Sequence, residues 1–153
     1  MHVKNLPQIF RDCCSTDNKL SIAEPFLING VVYATDGRVI VRKPAPKAKR
    51  LIGGATGNLP MVTPTTFGLW NHVFTDPIDI PKIPKAKYDA DGEERTVVTA
   101  FGKTRLANKY LRIIRKHGGK LRLRADEDPR NVVAFVGDGW DGLLMQCDPK
   151  DEP

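Results

Sequence analysis

A chain of 153 residues has length for one hydrophobic core, and ~70% of its unfolded surface can be buried on folding. Lys and Arg number 24 against 18 Asp and Glu, a formal charge of +6 that favours a polyanionic partner. Cys13, Cys14 and Cys147 form neither an even disulfide framework nor a Cys-x-x-Cys pair, which excludes a disulfide-built scaffold, and no stretch approaches the ~18 apolar residues of a membrane span. A cytoplasmic protein with no membrane segment is the expectation.

At the start, Asn5 is placed to cap a short helix, with Pro7 in its first turn and Gln8 three residues on. Ile9, Phe10, Cys13 and Cys14 then share one apolar face, so these cysteines read as core. From residue 25 the period becomes that of strands. Asn29-Gly30 and Asp36-Gly37, dipeptides that accept the positive φ of tight hairpin turns, divide a meander into strands over 26–28, 31–35 and 38–43. Asp36 reads as a turn residue whose carboxylate accepts local backbone N–H groups.

Residues 44–95 are rich in Pro, Gly and charge and read as an irregular insertion running over the surface. Within it, Thr63 and Pro64 mark the start of a short helix that aligns Phe67, Trp70 and Phe74. That aromatic stripe suits the core, and a partner groove would need the same pattern. Order then returns: a strand over 96–101, a helix over 103–117 ended by Gly118-Gly119, a strand over 120–125 and a hairpin turning at Asp138-Gly139. Both ends of the chain thus carry a helix followed by strands with an Asp-Gly corner, the outline of a duplicated unit.

No catalytic constellation stands out. Gly102-Lys103-Thr104 between a strand and a helix imitates a phosphate-cradling loop, but Val97 occupies the position where that loop needs its first glycine. His2, His72 and His117 lack metal-ligand spacing, and there is no Gly-x-Ser-x-Gly elbow. A non-enzymatic protein without metal or cofactor is expected.

The last helix carries more information. At 100° per residue, Arg105, Lys109, Arg112 and Lys116 fall within ~60° of one another, opposite Leu106, Tyr110, Ile113 and Ile114. Solvated helix faces often carry lysine, but residues 101–125 include no acid to relieve the repulsion along this ridge, and an anionic partner would reverse that cost. A second cluster, Lys43, Lys47, Lys49 and Arg50, lies in the Pro-rich loop, where mobile cations can bind phosphates without regard to base sequence.

"LINGVVYATDGRVIVR" together with "NKYLRII" and "GLLMQ", in that order, resembles the bacterial DNA polymerase III sliding clamps, the beta subunit family, over residues 5–43 and 96–147. The resemblance implies an α+β, DNA-clamp-like domain: two helices packed on antiparallel strands in a duplicated helix-strand unit, here one domain over 1–153 interrupted by the insertion at 44–95. It implies non-sequence-specific contact with double-stranded DNA by Arg105, Lys109, Arg112 and Lys116; the basic loop adds Lys47, Lys49 and Arg50 as expected DNA contacts on its own charge. Replication or repair proteins are the implied partners. Clamp chains string three such domains together and close as pairs, so a ring of this chain would be a homo-oligomer of about six copies. The family's terminal Met-Pro is replaced by Met145-Gln146-Cys147, so its peptide pocket is not carried over. The insertion makes the chain more similar to stand-alone clamp-like proteins of phages and mobile elements. The alternative is an adaptor that keeps the fold and binds a protein through Phe67, Trp70 and Phe74.

Overall fold

The hairpin expected at Asp36-Gly37 is the simplest place to see how this chain folds. In the computed structural model, which describes residues 6–14, 24–28, 30–45, 76–101, 104–122 and 132–147, strand β2 (Val31–Thr35) turns back into β3 (Val39–Pro44). Gly37 sits at φ 102°, a left-handed conformation that glycine adopts without steric cost. Asp36 Oδ1 accepts the N–H groups of Arg38 at 2.9 Å and Val39 at 3.2 Å, and the Thr35 hydroxyl donates to the Val39 carbonyl at 2.7 Å. The acidic corner is a turn.

The remaining elements are α1 (Gln8–Asp12), β1 (Phe26–Ile28), β4 (Val97–Ala100), β5 (Thr104–Ala107), α2 (Asn108–Lys116), β6 (Lys120–Arg122), β7 (Val132–Val136) and β8 (Asp141–Met145). Six strands form one antiparallel sheet in the order β1-β2-β3-β8-β7-β6, and β4 pairs with β5 in a separate antiparallel ladder. The chain is therefore α+β, with two helices and antiparallel sheets among the described residues. The outer edge of β6 is met by Ile78, which exchanges backbone hydrogen bonds with Leu121 at 2.7 and 2.9 Å.

Alternation along the strands sends Val32, Ala34, Val39, Val41, Val133, Phe135 and Leu144 into one core with Ile9, Phe10, Cys13, Leu111 and Ile114 of the helices. Full burial of a side chain of this size is worth about 1.5–3 kcal/mol, so this shared layer holds the helices to the sheet. Gly142 lies opposite Val41 in the register, and a Cβ there would run into the Phe135 ring and the Ile40 carbonyl. On the other face, Arg42 of β3 pairs across the strands with its register partner Asp141, Nε to Oδ1 at 2.8 Å and Nη2 to Oδ2 at 3.2 Å.

Helix α2 ends as its two glycines predict. Gly118, at φ 75°, donates to the Arg115 carbonyl at 3.0 Å, and Gly119 donates to the Ile114 carbonyl at 2.8 Å, the paired bonds of a Schellman turn. Arg115 and Lys116 in the last turn complement the negative end of the helix dipole.

Three boundaries differ from expectation. The first helix begins at Gln8, so Pro7 and not Asn5 holds the cap position, and no side chain caps it. The strand after the corner starts at Val39. The third difference matters most: Thr104–Ala107 is strand, and the helix starts only at Asn108. Leu106 and Thr104 point inward while Arg105 and Ala107 are only partly buried, a two-residue period, and β4 supplies a ladder for it. The Asn108 N–H then bonds to the Thr96 carbonyl at 2.8 Å, fixing the start of the helix. Between 76 and 96 the chain forms no helix or strand, only two isolated bridges, Ile78 to Leu121 and Tyr88 to Glu94. The aromatic helix proposed around Phe67, Trp70 and Phe74 lies outside the described residues.

Candidate nucleic-acid interface

Because residues 104–107 are strand, the four cations expected on one helical ridge do not share an element. Arg105 belongs to β5, where its carbonyl accepts the Cys147 N–H at 2.8 Å, and it leaves the ridge. Lys109, Arg112 and Lys116 remain on the outward side of α2, opposite the buried Tyr110, Leu111 and Ile114. Their side chains are 39%, 43% and 69% exposed, so exposure grows toward the end of the helix.

The ridge has a fourth member that the i, i+4 spacing passed over. Arg115 is exposed and makes no ion pair with any described residue. It lines an open groove with Arg112, Lys116 and Ile83. With the helix starting at Asn108, Arg115 stands one turn beyond Arg112 on the i, i+3 diagonal, the signal that would have found it.

Each of the other helix cations has an acid nearby, and none of these acids is local. Lys109 Nζ is 3.4 Å from Glu93 Oε2, Arg112 Nε is 3.7 Å from Glu94 Oε1, and Lys116 Nζ is 3.9 Å from Asp12 Oδ2. Arg112 Nη2 also donates to the Pro84 carbonyl at 3.3 Å, which takes a second bond from the Asn108 side-chain amide at 3.0 Å. Residues 84–94 therefore run beside the first half of α2, while its last turn is open. Glu94 is only 10% exposed, and its Oε1 has no hydrogen-bond partner among the described residues.

Next to these ion pairs lies a mixed-charge cleft of about 250 Å³, bordered by Arg38, Glu93, Glu94, Arg95, Lys109 and Tyr110. Cys147 also borders it, but Cys13 and Cys14 are buried in the core. Burial, and then the nearby Asp36 charge, push the Cys13 thiol far up; burial pushes Cys14 up to about 11. Neither is a thiolate near neutral pH, which suits packing and not nucleophilic chemistry. Among the described residues no three His, Cys, Asp or Glu side chains group as metal ligands, and no helix is long and apolar enough to cross a membrane. Lys47, Lys49 and Arg50, together with Phe67, Trp70 and Phe74, lie outside the described residues.

No protein-family model matches the chain, and neither does a curated protein or a solved structure.

Proposed function

We propose that this chain is a non-enzymatic, clamp-like protein that associates with the backbone of double-stranded DNA without sequence preference. The observation that carries the reading is the exposed pair Arg115 and Lys116 in the open last turn of a helix whose other face is packed in the core. Phosphate contacts need cations held outward on a rigid element, and they yield affinity without base readout. The formal charge of +6 favours the approach.

The clamp-like part of the reading rests on a correspondence between halves. Helix α1 buries Ile9, Phe10 and Cys13, and α2 buries Tyr110, Leu111 and Ile114 at the same spacing. An antiparallel set, β1-β2-β3 or β6-β7-β8, follows each helix, and the two sets meet at β3 and β8. An Asp-Gly corner with a positive-φ glycine, Gly37 or Gly139, stands before the last strand of each. We read this as a duplicated helix-strand unit. One such domain cannot surround a duplex, so encirclement extends the proposal to a homo-oligomeric ring, with replication or repair proteins as its partners.

The test is binding of a random-sequence duplex, followed by fluorescence anisotropy across a salt series. Binding should weaken steeply with salt, and each of Arg115→Glu and Lys116→Glu should lower the salt slope by about 0.9 for the phosphate left without its cation. An unchanged slope in the double variant removes α2 from the interface. Mass measured in solution with DNA decides the ring: a monomer on DNA rules out encirclement.

A further inference from the structure

We infer that residues 84–95 form an acidic strap that masks Lys109 and Arg112, so that the first half of α2 reaches a polyanion only when Glu93 and Glu94 give way. The inference rests on the DNA-binding reading above and adds a regulation to it.

The strap is a small hairpin held by its own bonds. Arg95 N–H donates to the Lys87 carbonyl at 2.8 Å, and Asp89 N–H donates to the Glu93 carbonyl at 2.9 Å. Asp89 Oδ1 takes the N–H groups of Asp91 at 3.0 Å and Glu93 at 2.8 Å, while Oδ2 takes Arg95 Nε at 2.7 Å. Gly92 makes the turn at φ 80°. Asp89 is thus used inside the hairpin, and Glu93 and Glu94 are left to face α2.

What they meet there is the two cations nearest the start of the helix, at 3.4 and 3.7 Å. Glu93 and Lys109 are both more than a third exposed, the setting in which an ion pair is weak and screened by salt. Glu94 is largely desolvated, yet its Oε1 stops beyond hydrogen-bond reach of Arg112 and has no other hydrogen-bond partner among the described residues. A carboxylate in that position loses water without gaining a full charge-assisted bond, so a phosphate with better geometry can displace it from Arg112. The Pro84 carbonyl, bonded to Asn108 and Arg112, anchors the strap while the acidic side chains move.

The experiment measures duplex affinity for Glu93→Gln/Glu94→Gln beside Asp76→Asn/Asp138→Asn, which changes the net charge equally through two exposed acids. Freeing two cations for phosphate should tighten binding roughly tenfold in ~50 mM salt and steepen the salt slope by about 1.8, whereas the control shifts affinity less and leaves the slope. Lys109→Ala should weaken binding more in the Gln background than in the wild type. Should Glu94→Gln unfold the chain, as a thermal melt would reveal, Glu93→Gln alone should still steepen the slope by about 0.9. Equal slopes in the Gln and control variants, with binding that still depends on Arg115 and Lys116, overturn the strap and leave the DNA reading standing. Absence of binding in every variant overturns both.

Discussion

The Tyr110 phenol donates a 2.6 Å hydrogen bond to Asp36 Oδ2, joining α2 to the β2–β3 corner across 74 residues of sequence. Asp36 therefore closes its own turn with one carboxylate oxygen and receives the second helix with the other. The bond is charge-assisted, and Tyr110→Phe should cost about 1.5–3 kcal/mol in denaturant unfolding. Burial, then the Asp36 charge and this bond, raise the phenol's pKa well above its ordinary 10.0. A folded-state pKa raised in this way gives stability that is present below pH ~10 and lost as pH rises, because the unfolded chain ionises first. Unfolding measured from pH 8 to 11 should fall more steeply for the wild type than for Tyr110→Phe.

At the other end of α2, Asp12 Oδ2 lies 2.7 Å from His117 Nε2, stapling the ends of the two helices. Burial alone would raise the Asp12 pKa, but hydrogen bonds from His117 and Gln8 and the charges of Lys116 and His117 outweigh it and hold it below 3.8. The stability this confers is present above pH ~4 and disappears as pH falls through the lowered value. Asp12→Asn should cost about 1 kcal/mol at pH 6, the side chain being partly solvated, and the two unfolding curves should converge once pH falls below the lowered value.

Gly142→Ala tests the core directly. Its Cβ would collide with the Phe135 ring and with the backbone of Ile40, and a carbonyl in a sheet ladder cannot turn aside. A loss of about 3 kcal/mol is expected in chemical denaturation. Gly92→Ala provides the contrast: no atom lies within 4 Å of its Cβ, so only the strain of its positive φ remains, about 1 kcal/mol.

The cysteines should separate by reactivity. In native protein at pH 8, a thiol-specific chromogenic disulfide should modify Cys147, which is partly exposed, and leave Cys13 and Cys14 until denaturant is added. Rapid labelling of all three would contradict the packing of α1 against the sheet.

How much of this was legible beforehand varies with the range of the forces involved. The Asp36-Gly37 and Asp138-Gly139 corners, the glycine stop after α2 and the apolar face of α1 follow from residues within a few positions of one another, where backbone sterics and short-range periodicity decide. Residues 104–107 misled because their apolar spacing is compatible with a helix. The ladder that Val97–Ala100 offers is a hydrogen-bonding partner that no local pattern announces.

The candidate site divides along the same line. Sequence alone determined that α2 would present cations opposite an apolar face, because both follow from a 3.6-residue period. Only the tertiary structure decided which of those cations are open. Glu93 and Glu94 reach Lys109 and Arg112 from the irregular segment before β4, 16 and 18 positions earlier in the chain, while Asp12 reaches Lys116 from the first helix. Coulomb attraction depends on distance in space and on local solvation, and chain folding sets both.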